Sequence, residues 1–177
     1  MLTMKALKTI HEYDLTLFNR LSPLRLNEDL IRFNRYMSKS GDGYFYLILL
    51  IWTGWQDGYN NPFFMAILLG FTLERPSYYI LKNSFKRNRP ENALEGFRSI
   101  IKPGDHFSFP SGHTSAAFMM AVLCGYFYPA LFLLLLGWAF LVGTSRIVLG
   151  VHFPTDILVG MCLGVSAALI SLEIVLS

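Results

Sequence analysis

From Tyr44 to its end the chain is a series of apolar stretches broken mainly by short polar turns, and this pattern limits the fold more than any other feature. A helix that crosses a bilayer takes roughly 20 mostly apolar residues. Five segments approach that: about Tyr44–Trp55 (extendable to 41–59), Phe63–Leu81, Ser111–Tyr128, Ala130–Ser145 and Pro154–Leu176. In lipid each backbone polar group must be satisfied inside the protein, so these segments read as helices. Composition agrees. Only 15% of residues are charged and 53% are hydrophobic, against about 25% charged in a soluble domain. That excludes a disordered tail or a collagenous fibre and argues against a soluble enzyme. The expected fold is all-α, a polytopic membrane bundle of about five spanning helices preceded by amphipathic interfacial helices.

Residues 1–40 carry the amphipathic pattern. Leu7, Ile10, Leu17 and Leu21 recur at helical spacing among Lys5, Lys8, Glu12 and Arg20. After Pro23, Leu26, Leu30, Phe33 and Met37 share a stripe that Arg25, Arg32 and Arg35 avoid. Such helices lie against anionic headgroups or pack on the protein's own bundle, and both readings stay open. The expected division is an interfacial region, 1–40, and a membrane-embedded domain, 41–177. No secretory leader pattern is visible. Trp52, Trp55 and Tyr59 resemble an interfacial aromatic belt. Glu74 and Arg75, inside the second span, must face the bundle interior or each other. Gly160 and Gly164 have the small-xxx-small spacing of close helix packing. Cys124 and Cys162 have neither CxxC nor zinc spacing and are expected to be buried packing thiols. A net charge of +3 is too small to suggest a nucleic-acid partner. Membrane lipids are the expected partners, and the sequence gives no oligomeric state.

Three polar clusters flank the later spans. In the first, Lys82 and Arg89 are seven residues apart, so both project from one face if the second helix continues to Pro90. Arg89 could grip an anion as a fork and Lys82 as a point charge; a topology-setting basic loop is the other reading. The second is Pro110-Ser111-Gly112-His113. Ser111 suits a helix N-cap, Gly112 permits close backbone approach, and free N–H groups at a helix start attract anions. His113 could then offer a proton to an oxygen of that anion. The third is Ser145-Arg146 followed by His152 and Asp156. Pro154 suits the first helical position, leaving His152 just ahead of the helix within reach of Asp156. A carboxylate on one ring nitrogen frees the other as nucleophile or base; a His–Asp cap is the alternative. His11 and His106 lack such partners.

Two spans separate the second cluster from the third, so both reach the same membrane face. Together they suit phosphoryl transfer with no cofactor and no metal. Lys82, Arg89, Arg146 and the N–H groups near Ser111 and Gly112 would hold phosphate oxygens. His152 would attack phosphorus, and His113 would protonate the leaving oxygen.

Lys82-x₆-Arg89-Pro90, Pro110-Ser111-Gly112-His113 and Ser145-Arg146-x₅-His152-x₃-Asp156 resemble, without a mismatch, the three-part signature of the type 2 phosphatidic acid phosphatases, whose superfamily includes the vanadium haloperoxidases. The resemblance covers roughly residues 40–177. It implies a metal-independent membrane phosphatase acting on lipid phosphates or diphosphates of the undecaprenyl diphosphate, phosphatidylglycerophosphate or phosphatidate class. It implies the roles above for Lys82, Arg89, Ser111, Gly112, His113, Arg146, His152 and Asp156. Many bacterial members have six spans, one more than is read here. The expected location is the bacterial inner membrane. Family precedent puts the active site on the periplasmic side, whereas Lys5, Lys8, Arg20, Arg25, Arg32, Arg35 and Lys39 argue for a cytoplasmic face; the periplasmic side is the expectation. Alternatives are a lipid phosphotransferase using the same intermediate and a non-catalytic lipid-phosphate binding or scrambling protein.

Overall fold

The computed structural model describes residues 12–20 and 27–177. The expectations placed on Lys5, Leu7, Lys8, Ile10, His11, Leu21, Arg25 and Leu26 lie outside the described residues. Every element is helical: α1 (12–20), α2 (Glu28–Ser40), α3 (Gly43–Asp57), α4 (Pro62–Phe85), a single turn α5 (Pro90–Ala93), α6 (Gly112–Phe127), α7 (Phe132–Val148) and α8 (Pro154–Leu176). Each of the five apolar segments is thus one helix.

Local chemistry starts these helices where the sequence suggests. Asn61 accepts from the amides of Phe63 and Phe64 at 2.8 and 3.2 Å, and Pro62 takes the first helical position. Pro154 does the same for α8, where a missing N–H costs nothing. The end of α4 departs from expectation. The helix stops at Phe85, and Lys86 turns left-handed at φ 45°. Arg89 precedes Pro90 and is extended, as sterics at that position require, so it cannot share a helix face with Lys82.

The centre of the bundle is α6, buried continuously from Thr114 to Ala121. A helix apolar all round belongs inside, and α4, α7 and α8 surround it. Its contact with α8 is backbone to backbone. A Cβ on Gly164 would lie 2.0 Å from the Ser115 carbonyl oxygen, and one on Gly160 would lie 2.6 Å from that of Ser111. The outer surface is apolar, with Leu133, Leu134, Ile48 and Ile80 all more than half exposed. A patch of that character wants lipid rather than water. The stretches Pro129–Val148 and Pro154–Leu176 are long and apolar enough to cross a membrane. Cys124 is half-buried, but Cys162 is exposed on α8, contrary to the expectation for both thiols.

The N-terminal helices touch the body of the protein. Helix α2 packs on α7. In α1, Phe18 is buried against Phe97 and Phe153, with ring centroids 5.2 and 5.5 Å away. On that helix Asp14 is also buried.

Candidate active site

The three clusters meet at the end of the bundle where α4 finishes and α6 and α8 begin. Lys82, at the last turn of α4, points into a cavity of about 500 Å³. The chain returns over it because Asn88 pairs with Phe107 and the Ser108 amide donates to the Arg87 carbonyl at 2.8 Å. That pairing carries Asp105 across the cavity mouth. Arg89, Gly112, His113, Arg146 and His152 line the same space. Three cations and an imidazole, each at most 5% exposed, therefore share one cavity.

Desolvating three cations is costly unless anions compensate. Asp105 provides one. Its carboxylate accepts from Lys82 Nζ at 2.7 Å, from the Tyr78 hydroxyl at 2.7 Å and from Arg89 Nη2. Burial alone would raise the Asp105 pKa, but the hydrogen bonds from Lys82 and Tyr78 overcome it and hold the carboxyl well below its ordinary range. Arg89 also donates to the Asp105 carbonyl at 3.0 Å and the Val151 carbonyl at 2.6 Å. Across the cavity, Arg146 Nη1 donates to the Ser38 hydroxyl, tying α7 to α2, while its Nε is buried with no partner among the described residues.

His152 sits in the short loop before α8. Arg89 Nη1 lies 3.5 Å from its Nε2. A guanidinium can only donate, so this side of the ring is the lone-pair side and Nδ1 carries the proton in the neutral ring. Nδ1 faces Asp156 Oδ2 at 3.5 Å, a close approach without a hydrogen bond. Burial first, then Arg89, Arg146 and Lys82, push the His152 pKa well below its usual value. The ring is neutral at neutral pH. Asp156 accepts instead from the Phe153 amide at 2.8 Å and from Arg87 Nη1 at 2.9 Å. Arg87 in turn donates to Asp14 and Thr155, so α1 braces the start of α8.

His113, in the first turn of α6, faces Asp42 Oδ1 from its Nε2 at 2.9 Å. Ser111 caps that helix, its hydroxyl oxygen accepting from the Thr114 amide at 3.4 Å. The Ser111 side chain is fully buried and outside the cavity lining. Gly112 does line it. A Cβ there would meet the Tyr78 ring at 2.9 Å, so only glycine leaves room at this helix start.

The sequence reading missed Asp42, Asp105, Arg87 and Asp14. Arg87 stood within the basic run 86–89, but nothing local distinguished it from its neighbours. The acids become relevant only through contacts across 27 residues (Tyr78 to Asp105), 71 (Asp42 to His113) and 73 (Asp14 to Arg87).

The fold and site define a class: an all-helical membrane protein with buried cations and a neutral histidine around one cavity of about 500 Å³. Residues 59–176 match the model of the PAP2 superfamily, and the chain belongs to that family. Phosphatidylglycerophosphatase B of Bacillus subtilis is 34% identical over 111 residues, covering 56% of this chain and 52% of that protein. The bacitracin transport permease protein BcrC of Bacillus licheniformis is 40% identical over 110 residues, covering 62% and 54%. The chain thus spans about half the length of these curated relatives. Among solved structures, LpxE of Aquifex aeolicus superposes with a TM-score of 0.79 at 31% identity, covering 90% of this chain and 94% of that one. The transmembrane PAP2 type phosphatidylglycerolphosphate phosphatase of Bacillus subtilis superposes at 0.77 and 25% identity, covering 94% and 86%.

Proposed function

We propose that this chain is an integral-membrane lipid phosphatase that hydrolyses a lipid phosphate or diphosphate through a phosphohistidine. The observation that carries the reading is the convergence of Lys82, Arg89, His113, Arg146 and His152 on one cavity, beside a surface suited to lipid. Phosphate oxygens are held by Lys82, Arg89, Arg146 and the N–H groups that begin α6 after Ser111 and Gly112. His152 Nε2 attacks phosphorus. The bond from phosphorus to the lipid oxygen breaks, and that oxygen takes a proton from His113. Water then attacks the phosphohistidine, its proton passes to His113, and the N–P bond breaks to release inorganic phosphate. Asp156 stabilises the imidazole from the Nδ1 side and is held by Arg87. Asp42 orients His113.

The five apolar helices, α3, α4, α6, α7 and α8, are read as the spans of an inner-membrane protein with its catalytic mouth on the periplasmic side. Residues 1–40 are read as an interfacial region whose described helices also brace the site. A membrane-impermeant thiol reagent applied to intact cells tests the orientation, using a cysteine placed at Lys102 in a protein lacking Cys124 and Cys162. Labelling there supports the periplasmic side, and protection reverses it.

Phosphate release from purified prenyl diphosphate, phosphatidylglycerophosphate and phosphatidate, measured with and without EDTA, tests the function. Retained activity in EDTA and an acid-labile, base-stable ³²P adduct on the protein are expected. Complete loss in EDTA rules out the mechanism as written.

A further inference from the structure

The cavity does not end at the catalytic groups. It continues along α4 to Arg75, two helical turns before Lys82 and about 10 Å further along the helix axis. Arg75 belongs to an apolar helix, where a guanidinium needs a compensating anion. Its neighbour Glu74, fully buried, accepts from Arg75 Nε and, at 2.6 Å, from Nη2. This bidentate grip uses one edge of the guanidinium and fixes its plane. Nη1 donates to no described group, and the Arg75 side chain remains 42% exposed.

A second observation points to a ligand at the same place. Tyr46 lines the cavity from α3, is 6% exposed, and its hydroxyl has no hydrogen-bond partner among the described residues. A buried hydroxyl without a partner costs about 1–3 kcal/mol, which a polar group in the cavity would relieve. Tyr78 connects this inner end to the outer one. The Arg75 guanidinium lies 5.0 Å from its ring centroid and Lys82 Nζ lies 4.5 Å from it.

We infer that Arg75 and Tyr46 form a second subsite, which holds an anionic phosphate on the lipid side of the scissile bond. The inference rests on the phosphatase reading and names the substrate class it favours: lipids with two phosphorus centres rather than one. With the terminal phosphate among Lys82, Arg89 and His152, the leaving group must pass His113. Its next anionic oxygens then reach the free edge of Arg75. The glutamate makes the Arg75 pair neutral overall, so the inner end can sit in an apolar helix while still presenting oriented donors.

The test compares kcat/KM for prenyl diphosphate and phosphatidylglycerophosphate, each with two phosphorus centres, with that for phosphatidate, which has one. Arg75→Gln alone leaves a buried carboxylate unpaired, so the paired variant Glu74→Gln/Arg75→Gln is used, with Tyr46→Phe as a milder one. Losing a charge-assisted hydrogen bond should lower the ratio of two-phosphate to one-phosphate activity by about tenfold in the paired variant and roughly threefold in Tyr46→Phe. Which of the two-phosphate lipids shows the fall identifies the source of the inner phosphate. A ratio unchanged for both lipids, or equal losses on all three substrates, overturns the subsite. Wild-type protein that releases phosphate from none of the three sinks the phosphatase reading itself.

Discussion

On one side of the cavity, Lys82 and Arg89 both donate to the Asp105 carboxylate. On the other, Arg146 Nε and His152 Nδ1 are buried without a hydrogen-bond partner among the described residues. The first half pairs its cations with a carboxylate of the chain itself; the second leaves a guanidinium nitrogen unpaired in a side chain that lines the cavity. The difference teaches how a site can keep several buried cations stable without a permanent counterion at its reacting centre. A carboxylate at the mouth, its side chain 41% exposed, neutralises the charge of Lys82 and Arg89 from the solvent side.

The harshest challenge to this division is His152→Ala. It should reduce kcat by about 10⁴-fold or more on any lipid phosphate, and it removes the ³²P adduct. A variant with near-wild-type turnover would take the nucleophile out of the unsatisfied half altogether. His113→Ala comes next, with a loss of about 10²–10⁴-fold on an alkyl leaving group. The loss should shrink with p-nitrophenyl phosphate, whose leaving oxygen needs no proton, and an equal loss on both would deny His113 its role as acid.

Asp105→Asn addresses the filled half directly. Without the competing charge, orthovanadate should inhibit about tenfold more tightly, equivalent to about 1.4 kcal/mol. Weaker inhibition would show that Asp105 positions Lys82 and Arg89 rather than standing in for substrate. The smallest effect concerns protonation. His152 is neutral at neutral pH and becomes protonated only as pH falls through its lowered midpoint, so any activity that needs its lone pair should fall only there. In Arg146→Gln a cation that disfavours the imidazolium is gone, and the midpoint should rise by roughly one pH unit in an imidazole NMR titration. A midpoint that stays put or falls would mean that the Arg146 charge does not hold it down.

What the sequence could disclose follows from range. Apolar stretches report helices because the pattern is local; Ser111 and Asn61 accept from amides two or three positions away, and Pro154 simply occupies a first helical position that needs no N–H. The motif residues were legible because their chemistry was odd for such a chain. Arg89 was legible as a cation but not in its placement. The left-handed Lys86 breaks the helix that would have aligned it with Lys82, yet the loop pairing of Asn88 with Phe107 brings both to Asp105. Asp14, Asp42 and Asp105 were invisible for the opposite reason: each is an ordinary acid until a distant cation or imidazole meets it. Glu74 and Arg75 lay between these cases, since lipid demanded a partner and the chain supplied one next door.

The glycine contact between α6 and α8 has a consequence for how such a protein can diversify. His113 begins one of these helices and His152 immediately precedes the other. Main-chain atoms set their separation, reinforced by the Ser111 amide donating to the Asp156 carbonyl at 3.0 Å. The pair is therefore a cassette: it can be inherited or transplanted only whole, because no side-chain change elsewhere can restore its spacing. Helix α3 bears no such constraint, and new headgroup preferences can be written on its cavity face without moving the two histidines.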